Sequence, residues 1–178
     1  MKNKFLKILS LIFCLLQSLN VIADELDIKA NQVKFNKDNR IVQAEGNVQI
    51  TDIKKNIIFA EKAEYDKNNE LMRSFGETDI ITAEKFRIQG KNIFYDNKKG
   101  IIYSTSETII TDINGNQVYV NMFDYSTSKK MFFSQGDIEV FDNKTNKYSF
   151  SEIYIDEKNR KIVGSDVKSF LKDGNFKN

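Results

Sequence analysis

The sequence predicts an all-β fold in which five similar units form an antiparallel stack. Apolar and polar residues alternate along several segments, such as VQAEGNVQI from Val42 to Ile50, and this alternation is typical of half-buried strands. The same residue types return every 30 residues across five units. No segment after Ala23 shows a sustained helical period. Together these observations predict a β-stack in which each unit contacts mainly its neighbours.

The repeat is visible as columns of residues of one chemical type at a spacing of 30 residues. The aromatic column is Phe35, Tyr65, Tyr95, Tyr125 and Ile155. The aliphatic column is Ile50, Ile80, Ile110, Val140 and Phe170, and the turn column is Asn36, Asp66, Asp96, Ser126 and Asp156. The small column is Ala44, Ser74, Ser104, Ser134 and Gly164, followed two positions later by Gly46, Gly76, Ser106 and Gly136.

Each unit is predicted to contain two strands. In the first unit these strands run from about Ile28 to Phe35 and from about Ile41 to Ile50, with the polar turn NKDNR between them. Asn and Asp favour such turns through local side-chain hydrogen bonds. The apolar pattern slips by one position at Asn31 and Gln32, which predicts a bulge or bend in the strand. A short polar link such as TDIKKN leads to the next unit.

The small column places Ala44 and Gly46 in the middle of an inward strand face. Glycine weakens a strand interior, and it often marks a tight bend or a close approach. Two interpretations follow from the residues alone. The small side chains either relieve a sheet corner or leave room for a continuous apolar slot along the stack.

The first 23 residues are predicted to be a cleaved signal peptide. Three lysines precede an apolar run from Ile8 to Leu19, which is too short to span a bilayer. Val21 and Ala23 then form a small-residue cleavage site; the alternative is an uncleaved membrane anchor. Phe13 precedes Cys14 where a lipoprotein signal needs a small residue, so lipidation is not expected. Residues 24–172 are predicted to form one β-domain and residues 173–178 a polar tail.

Composition excludes several functional classes. Cleavage after residue 23 leaves 24 basic and 25 acidic residues, and a nucleic-acid partner would require a basic excess. The exported chain then has no His and no Cys, and no nucleophile–base pair can be named, so neither an enzyme nor a cofactor is expected. A metal site would need carboxylates alone, as suits Ca²⁺. The turn-column aspartates occur one per unit and are explained as turn formers.

Two segments carry a resemblance to a known family. ANQVKFNKDNRIVQAEGNVQI and AEKAEYDKNNELMRSFGETDI resemble the pattern A-x4-Y-D-x7-A-x-G-x-V-x-I of the OstA-like domain. This domain occurs in the lipopolysaccharide-transport proteins LptA and LptD, in LptD as its periplasmic N-terminal part. The resemblance covers about residues 26 to 170, and it does not distinguish an LptA-type protein from the N-terminal domain of an LptD-type protein.

The resemblance implies a V-shaped β-jellyroll that carries lipopolysaccharide through the periplasm, with the acyl chains in its apolar interior. It also implies end-to-end strand pairing with homologous OstA-like domains, and association with the outer membrane. The inward-facing candidates for lining such an interior are Phe35, Val48, Ile50, Tyr65, Ile80, Tyr95, Ile110, Tyr125, Phe132, Ile138 and Val140.

Two alternatives remain open from the sequence. Aromatic columns at repeat spacing are typical of a packed core, so the interior could hold no lipid. The same repeats could also build an exported β-solenoid scaffold or adhesin, which should show an outward ladder of aromatic or charged residues. The two end strands have no proline to block pairing with another chain, although Lys29, Lys34 and Lys168 could protect them by charge.

Overall fold

The computed structural model describes residues 26–170, and this range contains strands and turns without a helix. The all-β prediction is therefore confirmed. The strands are β1 (Leu26–Lys29), β2 (Gln32–Asn36), β3 (Ile41–Asp52), β4 (Ile57–Asp66), β5 (Leu71–Ile81), β6 (Arg87–Lys91), β7 (Phe94–Asp96), β8 (Ile101–Ser104), β9 (Thr108–Thr111), β10 (Gln117–Val120), β11 (Phe123–Ser126), β12 (Met131–Phe141), β13 (Lys147–Asp156), β14 (Lys161–Ser165) and β15 (Lys168–Phe170). The predicted signal peptide, cleavage site and polar tail lie outside the described residues.

The strands form one continuous antiparallel meander. β1 and β2 pair with β3, β3 with β4, and β4 with β5. In the third and fourth units, pairs of short strands take the place of single long ones, and the order continues through them to β12. β12 then pairs with β13, and β13 pairs with β14 and β15 at the end of the sheet. Each unit therefore adds two antiparallel neighbours, as the repeat predicts. One end of the described sheet is formed by β1 and β2, and the other by β14 and β15.

A crease runs across the middle of every unit and divides the sheet into two layers. The register shifts between Glu45 and Val48 in β3 and between Gln135 and Ile138 in β12. The third and fourth units are interrupted outright, between β6 and β7, β8 and β9, and β10 and β11. We call the layer beside the turns within units the hairpin layer, and the layer beside the links between units the link layer. The predicted phase slip is thus the crease itself.

Backbone conformation explains the glycine column at this crease. Gly46 and Gly76 have φ angles of +77° and +75°, and Gly136 has +105°. These values lie where a Cβ is disfavoured. A Cβ added to Gly76 or Gly136 would meet no atom within 4 Å. Glycine is therefore needed at Gly76 and Gly136 for the bend and not for space, which supports the corner interpretation at these two positions. At Gly46 an added Cβ would also meet the Asn31 side chain at 2.8 Å.

The serines of the small column repair the hydrogen bonding that the crease interrupts. The Ser74 hydroxyl oxygen accepts a bond from the Ile93 amide at 2.9 Å. The Ser134 hydroxyl donates to the Met122 carbonyl at 2.7 Å, and Ser104 repeats the pattern one unit earlier. Buried backbone groups without a partner are costly. The serine hydroxyls therefore provide hydrogen-bond partners for backbone groups that the crease leaves unpaired, which an alanine side chain cannot do.

The turns stack on one another along both open sides of the fold. In the hairpin turns, the Asp66 carboxylate accepts bonds from the amides of Asn68 and Asn69, which confirms the predicted turn-forming role. In the links, the Asp52 carboxylate accepts the backbone and side-chain N–H groups of Asn56 at 2.8 and 2.7 Å. Asn56 in turn accepts a bond from the Ala83 amide of the next link. Successive units are thereby joined at their ends as well as through their strands.

The inward faces of the two layers form a single apolar core. Its largest fully buried side chains include Tyr95, Tyr125, Phe123 and Met72. The core is contributed by residues at the same repeat positions in successive units, because each inward position is flanked by equivalent strands on both sides. At the two ends of the sheet this cover is missing. Apolar side chains there are exposed, such as Phe35 at 50% and Phe170 at 57%.

Candidate functional site

A first polar latch closes the two layers over the early units. The Tyr95 hydroxyl, in the hairpin layer, donates a 2.9 Å hydrogen bond to Oδ2 of Asp52, at the link end of β3. Beside it, the Lys54 ammonium donates to the Thr127 hydroxyl at 2.7 Å. Asp52 and Thr127 are buried. These contacts join one link turn to hairpin turns further along the chain and cover the core beneath them.

A second latch repeats this arrangement one unit later. Tyr125 stands 30 positions after Tyr95 and donates to Oε2 of Glu157 at 2.6 Å. Thr82 stands in the column of Asp52, and its hydroxyl oxygen accepts a bond from the Phe86 amide of the same link turn. The Lys130 ammonium binds the Glu84 carboxylate at 2.8 Å. The second latch again joins a link turn of one layer to hairpin turns of the other.

Burial raises the pKa of both ionisable groups that bond in the second latch, the Glu157 carboxyl and the Tyr125 hydroxyl. Glu157 is buried, and desolvation raises the pKa of its carboxyl above the ordinary value, with the nearby Glu84 charge acting in the same direction. The hydrogen bond from Tyr125 and the charge of Lys130 act against this rise. Burial and the neighbouring Glu157 also raise the pKa of the Tyr125 hydroxyl. The tyrosine therefore remains the donor in this pair at physiological pH.

One unit further along the chain, the place where a third latch would stand has no such hydrogen bond and borders a cavity. The column of Tyr95 and Tyr125 continues with Ile155, and the column of Asp52 and Thr82 continues with Asp112. Isoleucine has no hydroxyl, so the Tyr–Asp bond of the first latch has no counterpart here. Both side chains instead line a cavity of about 1070 Å³ between the layers at the C-terminal end of the stack.

The cavity is apolar inside and charged at its rim. Its volume is slightly above the range of roughly 300–1,000 Å³ that is usual for ligand pockets. The apolar lining is Phe86, Ile110, Ile113, Val118, Val140, Tyr148, Phe150, Ile155, Ile162, Val163 and Val167. The rim carries Glu84, Asp112 and Asp142 on the link side and Lys158 and Arg160 on the hairpin side. Such an arrangement suits a molecule with an apolar body and a polar head.

The predicted lining residues fall into three groups. Ile110 and Val140 line the cavity from its buried side, where they are 3% and 7% exposed. Phe35 is half exposed on β2, because this terminal strand is covered from one side only. The others are at most 5% exposed in the closed core; they are Val48, Ile50, Tyr65, Ile80, Tyr95, Tyr125, Phe132 and Ile138. Between the two latches the core of the described chain is therefore packed, and open space lies at one end of it.

Sequence reasoning missed the latches and most of the cavity lining. The latch partners Asp52, Thr82 and Glu157 stand in polar links and turns, which were interpreted only as connections. A usable signal existed in a comparison of two repeat columns. In one column a hydroxyl is lost at the third position, and in the other a polar residue is kept; the columns are Tyr95, Tyr125 and Ile155, and Asp52, Thr82 and Asp112. The loss of the hydroxyl at Ile155 marks the place where the interior opens.

The described residues offer no alternative site for a metal or a membrane span. No group of three or more acidic, His or Cys side chains within residues 26–170 is arranged to hold a metal ion. Nor does that range contain a helix of the length and apolarity needed to cross a membrane.

Comparisons with known proteins give a likeness to solved structures and none to a family model or a curated sequence. No protein-family model matches the chain, and no curated protein matches its sequence. Among solved structures, the chain is similar to LptH from Pseudomonas aeruginosa, described as the LptA-homologous periplasmic component of the conserved lipopolysaccharide transport device. The two share 10% identity with a TM-score of 0.34, over 83% of this chain and 94% of that one.

Proposed function

We propose that this protein is a non-enzymatic periplasmic carrier, or a bridge component, that holds the acyl chains of lipopolysaccharide on their way to the outer membrane. The observation that carries the proposal is the cavity at the C-terminal end of the stack. It combines an apolar interior with an open mouth and a charged rim. The resemblance of the repeat units to the OstA-like domain supports the same conclusion independently of the cavity.

Acyl chains require little from such a site beyond apolar surface and width. Their transfer out of water contributes roughly 25 cal/mol per Å² of buried apolar surface. Ile110, Val118 and Val140 form a wall of aliphatic side chains on adjacent strands. We expect binding that tolerates changes in chain length and depends only weakly on salt.

The position of the cavity agrees with a role in handing a lipid from one domain to the next. It opens beside β14, whose Ile162 and Val163 are 55% and 64% exposed. β14 and β15 are also the strand edge to which a homologous domain would add by strand pairing. A partner bound there would lie next to the cavity mouth, so that an apolar chain could pass between the two domains without entering water.

Site-specific photo-crosslinking tests the proposal. A photoreactive residue at Ile110, inside the cavity, should capture lipopolysaccharide in cells that make it, whereas one at the outward-facing Gln43 should not. The same residue at Tyr95 tests whether lipid reaches the latched core. Ile110→Asp should reduce capture at Val140, because a buried carboxylate without a partner opposes an apolar ligand; its folding must be verified by circular dichroism. Equal capture at inward and outward sites would contradict the proposal.

A second candidate is an exported scaffold or adhesin with a packed interior. The outer face of the hairpin layer carries two aromatic pairs, Phe94 stacked on Tyr103 and Phe133 tilted against Tyr154, at ring-centroid distances of 5.1 and 4.8 Å. Such a ladder is what an adhesin should show, although cross-strand aromatic pairs also stabilise a sheet by themselves. Absence of lipid capture at Ile110 in a folded protein would favour this candidate.

A further inference from the structure

We propose that Asp112 is the polar recognition point of the cavity, and that its Oδ2 atom accepts a hydrogen bond from a hydroxyl or amide N–H at the root of the bound amphiphile's chains. This inference rests on the proposed function, because it concerns the ligand of the same cavity. The bound donor takes the place that a tyrosine hydroxyl occupies in the first latch.

The equivalence of Asp112 and Asp52 is the first step of the argument. Oδ2 of Asp52 accepts two bonds, from the Asn56 side chain at 2.7 Å and from the Tyr95 hydroxyl at 2.9 Å. Oδ2 of Asp112 accepts the matching bond from the Asn116 side chain at 2.7 Å. The turn geometry is thus the same, and the second donor alone is missing among the described residues.

The missing donor leaves Asp112 facing the cavity. Ile155 occupies the position from which a tyrosine would reach it, and Asp112 and Ile155 line the same space. Asp52 is only 3% exposed beneath its tyrosine, whereas Asp112 is half-buried. A carboxylate at the edge of an apolar cavity favours a ligand that brings a donor, since hydrogen bonds to charged groups are stronger than neutral ones.

The other carboxylates of the rim are less suited to this role. Glu84 is paired with Lys130 at 2.8 Å, and Glu157 receives the Tyr125 hydroxyl. Oδ2 of Asp142 receives the Asn146 side chain and, at 3.4 Å, the Tyr148 hydroxyl. Asp156 also lines the cavity, and its Oδ2 receives the Asn159 side chain at 2.7 Å, but it lies in a hairpin turn and not at the link position that Asp52 holds in the first latch. Asp112 is therefore the rim carboxylate that matches Asp52, and Asp66 is its control because it forms a similar aspartate–asparagine turn outside the cavity.

The position of the donor on the ligand follows from the depth of Asp112. The apolar wall of Ile110 and Val118 begins directly beside the link turn that Asp112 opens. A ligand donor must therefore lie where the alkyl chains join the head, and not at a distant part of the head. Amphiphiles with hydroxyl or amide groups at that junction fit, whereas those with only ester or ether oxygens there place an acceptor against the carboxylate.

A matched pair of neutral ligands tests this directly. 1-O-tetradecylglycerol has two hydroxyl donors beside its chain, and its 2,3-dimethyl ether has none. Each would be titrated against the exported protein, purified with the apolar fluorophore N-phenyl-1-naphthylamine in the cavity, and displacement would be followed by fluorescence. We expect the glycerol ether to bind about tenfold more tightly, a factor that corresponds to ~1.4 kcal/mol.

Two variants locate the effect. Asp112→Asn should abolish the preference for the donor-bearing ligand, and Asp66→Asn, which removes the charge from a similar turn outside the cavity, should retain it. Equal binding of both ligands to the unmodified protein, or a preference that survives Asp112→Asn, would overturn the inference and leave the carrier function standing. If neither the fluorophore nor either ligand binds, the carrier function itself fails, and the inference fails with it.

Discussion

The hydroxyl of Tyr95 and the carboxylate of Asp52 lie 2.9 Å apart although 43 residues separate them in the chain. Tyr95 belongs to the hairpin layer of the third unit, and Asp52 ends the link layer of the first. The bond therefore fixes both the spacing of the layers and their stagger along the stack. By the 30-residue repeat, Tyr125 and Thr82 are the equivalents of Tyr95 and Asp52 one unit later, and Ile155 and Asp112 are their equivalents two units later.

The first prediction concerns this bond. Tyr95→Phe should lower the free energy of unfolding by about 1–3 kcal/mol, because the buried Asp52 carboxylate loses a donor and gains no water. Urea denaturation followed by circular dichroism measures the change. Tyr119→Phe is the control, since the Tyr119 hydroxyl makes an exposed hydrogen bond to the Gln117 side chain. Equal losses in the two variants would contradict a special role for the latch.

The second prediction concerns the crease. Gly76→Ala should destabilise the protein by about 1–2 kcal/mol, the cost of placing a Cβ in left-handed backbone. Because no atom lies within 4 Å of the added Cβ, the loss would report conformation and not overlap. Gly76→Asn should cost less than Gly76→Ala, since asparagine tolerates this region better. A ranking in the opposite order would show that side-chain volume matters instead.

The sequence predicted the strands, the crease and the hairpin turns because these depend on local periodicity. The column from Phe35 to Tyr125 is visible in the sequence however the two layers are packed. Asp66 forms its turn with neighbouring residues alone. The latches depend on something the repeat does not contain, namely the stagger that brings Tyr95 to Asp52. The cavity was missed for the same reason: Ile155 resembles a core residue unless its column is compared with the column of Asp112, and that comparison requires the stagger of the layers.

The third prediction concerns pH and Glu157. Its pKa is raised in the folded protein, so the folded state holds this proton more tightly than the unfolded state does. The stability that protonation provides is present below the unfolded pKa of about 4.3 and is lost as pH rises through the raised folded value. Glu157→Gln, which stays neutral, should therefore gain stability relative to the unmodified protein as pH rises through that window.

Denaturation at a series of pH values tests this expectation. Glu45→Gln, an exposed glutamate on β3, controls for the loss of one negative charge and should follow the unmodified protein closely. If Glu157→Gln loses stability relative to the unmodified protein at neutral pH, the ionised carboxylate must be a net stabiliser of the second latch.

The last prediction concerns end-to-end pairing, and the repeat specifies its register. Between successive units the inward pairs are Val42 with Tyr65, Met72 with Tyr95, Ile102 with Tyr125 and Phe132 with Ile155. Each pair lies 30 residues beyond the last, so the next partner of Ile162 is the residue equivalent to Phe35 in a second copy. Both side chains are about half exposed, at 55% and 50%.

Cysteine crosslinking tests this register. The sequence contains only Cys14, within the predicted signal peptide, so introduced cysteines have no competitor in the processed chain. Ile162→Cys combined with Phe35→Cys should give disulfide-linked oligomers on mild oxidation, because directly opposite Cβ atoms in antiparallel strands lie about 4.5–5.5 Å apart. Ile162→Cys combined with Lys34→Cys should crosslink poorly, since Lys34 points to the opposite face. Equal crosslinking of both combinations would show random collision, and a monomer in both would show that the charges of Lys29, Lys34 and Lys168 keep the edges apart.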